Sequence, residues 1–454
     1  MAGRICIHSH CYQPDRTDPR TGAVDEQPSA APFHDWNERI TAECYAPNAR
    51  VGNYARTSFN FGPTLLAWLE REAPETYAQV PAADRAGRAR FGGHGPAIAQ
   101  AWGHSILPLD SARDRRTQVR WGVKDFRHRF GRDPEGMWLP ETAADTPTLE
   151  ALAEAGIRFT IVAPHQVLAG PGAYRCPLPS GREIALIAYD GAIANELAFQ
   201  DLLADADRFA DRLLAAPGEL LSVATDGETY GHHHRGGGQT LADCLDRLEA
   251  RGARLTVPAE ELALHPPTRE TGIVERSSWS CVHGVERWRR ACGCCTGMHP
   301  DRQQDWRGPL RAGVDWLRDV LATVYEERLA PLIADPWALR DDYIEAILNP
   351  AALDRLLARH ARRPLDDQGR ALAAGMLKMQ YWCLLSFVSC GWFFDDISEP
   401  ATVQVMRSAG QAIMLCRELA GLELEAGFTD ILYNARSNIP ELGTGADIYR
   451  KVVG

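Results

Sequence analysis

Over residues 1–265, short runs of consecutive apolar residues alternate with stretches of helical periodicity. A run that is apolar at every position, rather than at every second one, is typical of a strand that is covered on both faces. Strands that alternate with helices predict a parallel sheet, either open or closed into a barrel. The predicted strands are residues 4–8, 136–140, 159–163, 184–189, 220–224 and 254–257. One or two further strands would complete a barrel.

The character of the chain changes after residue 265. His265, Pro266 and Pro267 resemble a linker, and most of the sequence beyond them has helical periodicity. One apolar stripe recurs every three or four residues, as on one face of a helix. Its members are Leu310, Val314, Leu317, Leu321 and Val324. We therefore predict an α/β catalytic domain over residues 1–265 and an all-helical domain over residues 266–454.

The charge balance excludes several classes of partner. The chain has 60 acidic and 49 basic side chains, a formal net charge of −11, and no cluster of Lys and Arg. Nucleic acids and anionic membrane surfaces are therefore poor partners. The most apolar run, residues 381–394, is too short to span a bilayer, which needs about 20 residues. Because the N-terminus lacks a signal peptide, we predict a cytoplasmic protein with reduced cysteines.

Ionisable residues follow three of the predicted strands. His8 and His10 end the first strand, Glu141 follows the strand at 136–140, and Asp226 follows the strand at 220–224. In parallel α/β folds, catalytic residues collect at the carboxyl ends of the strands. Two carboxylates from different strand ends are what a glycosidase requires. The alternatives are a hydrogen-bonded histidine pair, a glutamate that opens the next helix, and a solvated polar loop at 226–235.

Tryptophan is well supplied for binding sugars, because an indole face can stack on the C–H face of a pyranose ring. Six tryptophans lie beside polar or charged residues, and packing in the core is the alternative for each of them. They are Trp36, Trp102, Trp138, Trp279, Trp288 and Trp392.

One short segment concentrates metal-ligand residues. Cys281, His283, Cys292, Cys294 and Cys295 lie within fifteen positions. Their spacing differs from a ladder of paired CxxC motifs, and adjacent cysteines at 294 and 295 fit tetrahedral ligation poorly. The sequence favours reduced thiols, with a structural metal at Cys281, Cys292 and Cys294, or redox sensing, as alternatives. We expect no other metal and no cofactor.

Several longer motifs resemble a known family. HSHCYQP (8–14), GGHGPAIAQAWGHSILPLD (92–110), EGMWLPETAAD (135–145) and ATDGETYGHHH (224–234) are similar to the signature regions of glycoside hydrolase family 57. SFNFGPTLLAWLE (58–70), SSWSCVHGVERW (277–288) and SCGWFFDDIS (389–398) resemble its bacterial branch with a DUF3536-type C-terminal region.

This resemblance implies an incomplete (β/α)7 barrel whose cleft is completed by a helical bundle. It implies a retaining enzyme that hydrolyses, transfers or branches α-glucans without a metal. Glu141 would be the nucleophile and Asp226 the general acid/base. The substrate would be an oligo- or polysaccharide. We expect it to be bound by His8, His10, His104, Trp138, Glu228, His232, Trp279, His283, Trp392 and Asp395.

Two other functions stay open on the sequence. In a metal-dependent carbohydrate deacetylase, His8, His10, Asp226 and His232 would hold a divalent cation that activates water. A non-catalytic glucan-binding protein could have the same fold. The sequence also departs from many members of the resembled family at His233 and His234, where they carry aromatic residues. The acceptor side of the site is therefore expected to differ.

Overall fold

The structure is a computed structural model that describes residues 3–453. Its contacts divide these residues into two compact units. The first comprises residues 3–15, 25–102 and 126–279, and the second comprises residues 16–24, 103–125 and 280–453. The division into domains 1–265 and 266–454 stays a prediction beside this grouping. In the described part of the chain, no helix is both long and apolar enough to cross a bilayer.

All the strands of the described residues lie in the first unit. They are β1 (Arg4–Cys11), β2 (Ser58–Phe61), β3 (Ala99–Gln100), β4 (Met137–Trp138), β5 (Phe159–Val162), β6 (Gly172–Pro177), β7 (Glu183–Ala188), β8 (Leu220–Asp226) and β9 (Arg254–Leu255). Every strand predicted from the sequence is present. The prediction missed β2, β3 and β6.

Helices follow most of these strands. In the first unit they are α1 (Trp36–Ile40), α2 (Ala46–Arg50), α3 (Pro63–Glu72), α4 (Pro74–Arg90), α6 (Thr146–Glu154), α7 (Gly191–Phe199), α8 (Ala206–Leu214), α9 (Gly237–Ala250) and α10 (Pro258–Leu264), while α5 (Ala112–Phe130) contributes to both units. The second unit contains α11 (Arg307–Leu329), α12 (Pro336–Asp342), α13 (Ile344–Leu348), α14 (Leu353–His360), α15 (Asp367–Leu385), α16 (Pro400–Ala420), α17 (Glu425–Leu432) and α18 (Gly445–Val453).

The strand pairing is almost entirely parallel. β1 lies between β2 and β8 and also pairs with β9, β3 pairs with β4, and β5 pairs with β7. The short strand β6 is antiparallel to β7. Isolated parallel bridges between Phe59 and Ala97, and between Gly136 and Phe159, link neighbouring sheets. These observations confirm the predicted mixed α/β class.

The core of the first unit explains why the strands are apolar at consecutive positions. Ile5 and Ile7 of β1 and Val223 of β8 belong to one buried cluster that also contains Phe209 of α8 and Leu245 of α9. The other residues of β1 and β8 are also buried, apart from a few at the strand ends. In a strand covered on both faces, polar side chains are accommodated mainly near the ends. The strand ends are therefore where a polar site can form.

Candidate active site

The register of the central strands brings distant polar residues together. His10 of β1 lies opposite Asn60 of β2 on one side and Asp226 of β8 on the other. His8 lies opposite Ser58 in the same way. Because these strands are parallel, their carboxyl ends form one edge of the sheet, and His8, His10 and Asp226 lie toward that edge.

Asn60 connects the two histidines. Its Oδ1 is 3.1 Å from His8 Nε2, and its Nδ2 donates to His10 Nδ1 at 3.0 Å and to Gln100 Oε1 at 2.8 Å. An amide oxygen only accepts, so His8 donates to it from Nε2. His10 Nδ1 lies 3.0 Å from the amide nitrogen and 3.3 Å from the amide oxygen. Burial lowers the pKa of each imidazole to about 3. Both rings are therefore neutral hydrogen-bonding groups and do not act as acids.

The indole of Trp138 packs against both histidine rings. His8 and His10 stack on it, with ring centroids 5.0 and 4.7 Å away. Trp279 packs edge-on against the same indole at 5.1 Å. Trp138 is fully buried, so the stacking observed for it is with protein rings. Its predicted contact with substrate stays a prediction.

Of the other tryptophans singled out in the sequence, Trp102 and Trp288 are also buried. Their burial agrees with packing in the core, and stacking of either one on a sugar stays a prediction. Trp36 is partly exposed and packs edge-on against His232 at 5.8 Å.

Glu141 sits in a strained turn directly after β4. It is buried, with φ 57° and ψ 21°, and Thr142 also has a positive φ of 50°. Left-handed backbone at a residue other than glycine costs about 1–3 kcal/mol and is concentrated at functional sites. The alternative that Glu141 opens the next helix is wrong, because α6 begins at Thr146 and is capped by Asp145.

Trp279 holds the Glu141 side chain in place. Its indole Nε1–H donates to Glu141 Oε2 at 3.0 Å, and its backbone N–H donates to the Glu141 carbonyl at 3.1 Å. Trp279 also packs on Trp138, and Trp138 stacks on His8 and His10. The Glu141 carboxylate is therefore held by the same aromatic cluster as the two histidines.

Asp226 and Glu141 lie within electrostatic reach of each other. Burial raises the pKa of Asp226 well above its usual range, and the charges of Glu228 and Glu141 raise it further. The neutral, proton-carrying form of Asp226 is thereby favoured beside Glu141. Two carboxyl groups whose protonation states differ are the arrangement that acid-assisted nucleophilic substitution needs.

Glu228, two residues after Asp226, is held by groups that the sequence did not indicate. Tyr45 O–H donates to Glu228 Oε1, and the Tyr12 backbone N–H donates to the same oxygen at 3.3 Å. Burial raises the pKa of Glu228, and the Tyr45 hydrogen bond opposes that rise. Tyr45 ends a π-helical turn, Thr41–Tyr45. Such turns are frequent at functional sites, yet nothing in the local sequence pattern predicts one.

The three consecutive histidines have separate surroundings. His232 Nδ1 is 2.5 Å from Glu43 Oε2. His233 is exposed, and His234 Nε2 donates to the Ala198 carbonyl at 3.2 Å. Two of the three histidines are therefore anchored to the protein, and the alternative of a solvated polar loop stays open for His233 and Arg235.

The remaining predicted site residues belong to the second unit. His104 is buried with φ 53°, and its Nδ1 is 2.7 Å from Ser389 Oγ. Trp392 is buried, and its indole donates to the Arg307 carbonyl at 3.1 Å. Both residues are fixed by contacts within their own unit, and their roles toward a substrate stay predictions.

Asp395 and His283 also have partners within the second unit. Asp395 Oδ1 accepts from the Thr296 backbone N–H at 2.9 Å. His283 Nδ1 lies 3.5 Å from Cys294 Sγ. Their predicted contacts with substrate likewise stay predictions.

Comparison with protein families gives two matches. The model of glycosyl hydrolase family 57 matches residues 93–274, which contain Glu141 and Asp226. A second model, a domain of unknown function named DUF3536, matches residues 303–454. The resemblance predicted from the motifs is confirmed for both parts of the chain.

Solved structures of two carbohydrate-active enzymes share the fold. An exo-type maltose-forming amylase from Pyrococcus sp. ST04 has a TM-score of 0.77 at 14% identity, covering 99% of this chain and 92% of that chain. A GH57-type branching enzyme from Pyrococcus horikoshii has a TM-score of 0.62 at 15% identity, covering 100% and 94% of the two chains. At these identities the similarity is one of fold.

Curated relatives match over shorter stretches. Alpha-amylase 1 from Dictyoglomus thermophilum is 29% identical over 103 residues, which are 23% of this chain and 14% of that protein. A 4-alpha-glucanotransferase from Thermococcus litoralis is 23% identical over 107 residues, 24% of this chain and 15% of that protein. The matched part is thus about one seventh of each relative.

Proposed function

We propose that this family 57 chain is a retaining enzyme for α-linked glucans, acting as a hydrolase, a 4-α-glucanotransferase or a branching enzyme. The observation that carries the proposal is the pairing of Glu141 with Asp226, in which the Glu141 charge adds to the raised pKa of the neighbouring acid. The names of the similar proteins, which include an amylase, a glucanotransferase and a branching enzyme, support the α-glucan substrate.

The reaction has two displacement steps. In the first, a Glu141 carboxylate oxygen attacks the anomeric carbon while Asp226 gives its proton to the departing glycosidic oxygen, and the C–O bond breaks. In the second, Asp226 takes a proton from water or a sugar hydroxyl, whose oxygen displaces Glu141 from the anomeric carbon. Each step inverts the configuration, so the product retains it. Retention requires the two carboxyl groups to be about 5–5.5 Å apart.

The surrounding residues prepare the two acids for these roles. The Trp279 indole N–H stabilises charge on Glu141 and fixes its direction. We assign His10 to the binding of sugar hydroxyls, because a neutral imidazole can donate or accept without competing for the catalytic proton. His8, whose ring nitrogens contact Ser58 and Asn60, holds Asn60 in place beside it. Glu228, held by Tyr45 and Tyr12, adds negative charge that keeps Asp226 protonated.

We also propose that the first unit forms an incomplete (β/α)7 barrel. Seven strands, β1, β2, β3, β4, β5, β7 and β8, are mutually parallel wherever they pair. The isolated bridges connect β2 with β3 and β4 with β5. Beyond β7, the Asp190 N–H donates to the Ser222 carbonyl of β8 at 2.7 Å. These links support a closed order of strands around the site.

The local contacts favour this mechanism over a deacetylase. A cation at His8 would need a ring nitrogen, but His8 Nδ1 is 2.9 Å from Ser58 Oγ and Nε2 donates to Asn60. His232 is likewise engaged with Glu43. Strain and a dedicated hydrogen bond at Glu141 are also unexplained in a protein that only binds glucan.

Product analysis tests the proposed function. Maltooligosaccharides, amylose and glycogen are incubated with the protein, and the first product is followed by proton NMR before mutarotation. We expect the α-anomer first, and chain lengths that identify hydrolysis, transfer or branching. A β-anomer as the first product would contradict retention. Binding without turnover, or cation-dependent release of acetate from acetylated sugars, would contradict the proposal as a whole.

Replacing Trp279 with Phe tests the support of Glu141. The ring remains, but the N–H donor to a charged oxygen is lost, an interaction worth about 1.5–3 kcal/mol. We expect kcat/KM to fall about 10- to 100-fold, with kcat carrying most of the loss. Trp337→Phe is the matched control, because that indole donates to the Glu326 carboxylate at 3.1 Å outside the site. Equal activity of the two variants would contradict the assigned role.

A further inference from the structure

The segment between the first unit and α11 has little regular structure. In residues 280–306 the single helical element is the short 3-10 turn Glu286–Trp288. Two tight turns in it carry four potential ligands: Cys281 and His283 before Gly284, and Cys292 and Cys294 on either side of Gly293. Both glycines have φ 85°, in the left-handed region that glycine adopts without strain.

The four side chains converge on a single point. Their ligand atoms all lie within 4.8 Å of one another. Cys281 Sγ is 3.9 Å from Cys292 Sγ and 3.8 Å from Cys294 Sγ, and Cys294 Sγ is 3.5 Å from His283 Nδ1. Zn–S bonds of about 2.3 Å and a Zn–N bond of about 2.0–2.1 Å in a tetrahedron separate sulfur pairs by about 3.8 Å and sulfur from nitrogen by about 3.6 Å.

We propose that Cys281, His283, Cys292 and Cys294 bind one zinc ion in a closed, structural, tetrahedral site. Three soft sulfur ligands and an imidazole select zinc over magnesium or calcium. All four positions come from the protein, so the ion has no open position for a substrate or water. Its role is to tie the two turns together in a segment that lacks helices and strands.

Backbone groups around the site are placed to support thiolates. The N–H groups of His283 and Arg287 donate to Cys281 Sγ, and the N–H of Val282 donates to Cys294 Sγ. Such contacts from outside the ligand shell orient metal ligands and stabilise their charge.

The buried charges nearby also favour a bound ion. Three thiolates with Zn²⁺ carry a net charge of −1. Arg287 and Arg307 are 3% and 0% exposed, and neither forms an ion pair with a carboxylate among the described residues. Arg307 Nη1 donates to the Cys294 carbonyl at 2.7 Å. The Asp395 carboxylate lies within electrostatic reach of Arg307, and an anionic metal centre adds compensating charge beside both buried cations.

The spacing of these ligands in the sequence differs from that of common zinc motifs. The ligands follow a C-x-H-x8-C-x-C pattern, in which one residue rather than two separates the members of each pair and one of the four ligands is a histidine. Cys295 does not belong to the converging group, so its adjacency to Cys294 is no obstacle to tetrahedral ligation.

Metal analysis of the full chain tests the site directly. The protein is produced in zinc-supplemented medium, desalted and analysed by plasma mass spectrometry. We expect one zinc per chain, its loss in Cys281→Ser, Cys294→Ser and His283→Ala, and its retention in His283→Cys, which restores a fourth soft ligand. Cys295→Ser is the matched control and should keep its zinc. A wild-type chain without metal, or equal loss in Cys295→Ser and Cys281→Ser, would overturn the proposal.

A second measurement on the wild-type chain avoids variants that fail to fold. Cobalt replacement should give the thiolate-to-metal charge-transfer band and the intense visible bands of a tetrahedral site. Removing zinc with a chelator should expose three further reactive thiols and lower the melting temperature. A disulfide among these cysteines in the metal-free chain, with no cobalt spectrum, would overturn the site. The outcome is independent of the proposed glycosidase activity, because no catalytic residue belongs to the cluster.

Discussion

Glu141→Gln is expected to lower kcat on an α-glucan roughly 10⁴- to 10⁶-fold, the range seen when a covalent nucleophile is removed. Glutamine keeps the size of the side chain and can still accept from the Trp279 indole, but it has no carboxylate to attack the anomeric carbon. The variant removes a charge buried beside another carboxyl group, so its melting temperature should equal or exceed that of the wild type.

Glu183→Gln is the matched control for this variant, because Glu183 is an exposed glutamate at the start of β7 that pairs with Arg175. It should keep wild-type activity. If Glu141→Gln retained more than a tenth of the wild-type kcat with an intact fold, Glu141 would not be the nucleophile.

The glycine variant adds a chemical test at the same position. Glu141→Gly suits the left-handed backbone at this residue, so it should fold well. Azide can then enter the space of the lost carboxylate and attack the anomeric carbon, while Asp226 protonates the departing oxygen. The expected product is a β-glycosyl azide, identified by NMR. Formation of the α-azide would contradict attack from the face that Glu141 occupies.

Asp226→Asn is expected to lower kcat about 10²- to 10⁴-fold, the usual contribution of general acid–base catalysis. The first step needs the protonated acid, so wild-type activity should fall as pH rises through the raised pKa of Asp226. Asparagine does not ionise, so this alkaline limb should disappear from the variant's profile. An unchanged limb would assign the pH dependence to another group.

The choice of substrate sharpens this test. An aryl α-glucoside with a very acidic phenol needs little protonation to depart, so its first displacement should be much less impaired in Asp226→Asn than that of maltooligosaccharides. Glycosyl-enzyme should then accumulate and be visible by mass spectrometry. Equal impairment with both substrates would show that Asp226 has another role.

The two carboxyl groups are also expected to be coupled. Because the Glu141 charge raises the pKa of Asp226, Glu141→Gln should lower it. Carbon-13 NMR of labelled aspartate can follow this titration in both proteins. The pKa should remain above the ordinary aspartate value in the variant, because burial is the largest cause of the rise.

Local sequence patterns predicted most of the strands and the two candidate catalytic carboxylates of this protein. Continuous apolar runs predicted six of the nine strands in the described residues, since a strand covered on both faces is apolar along most of its length. Glu141 and Asp226 follow two of those runs, and they are predicted to be catalytic because catalytic groups collect at strand ends. Long signature motifs predicted a resemblance to glycosyl hydrolase family 57, and the model of that family matches residues 93–274.

Tertiary structure decided what no local pattern encodes. β2 alternates polar and apolar residues and β3 ends in Gln100, so neither stands out as a continuous apolar run, and Asn60 and Gln100 were missed. Tyr45 reaches Glu228 across 183 positions of sequence. The left-handed turn at Glu141, the pairing of β1 between β2 and β8, and the convergence of Cys281 with Cys294 likewise depend on through-space packing. Such packing is set by how distant segments bury their apolar faces together, and composition and periodicity within one segment cannot specify it.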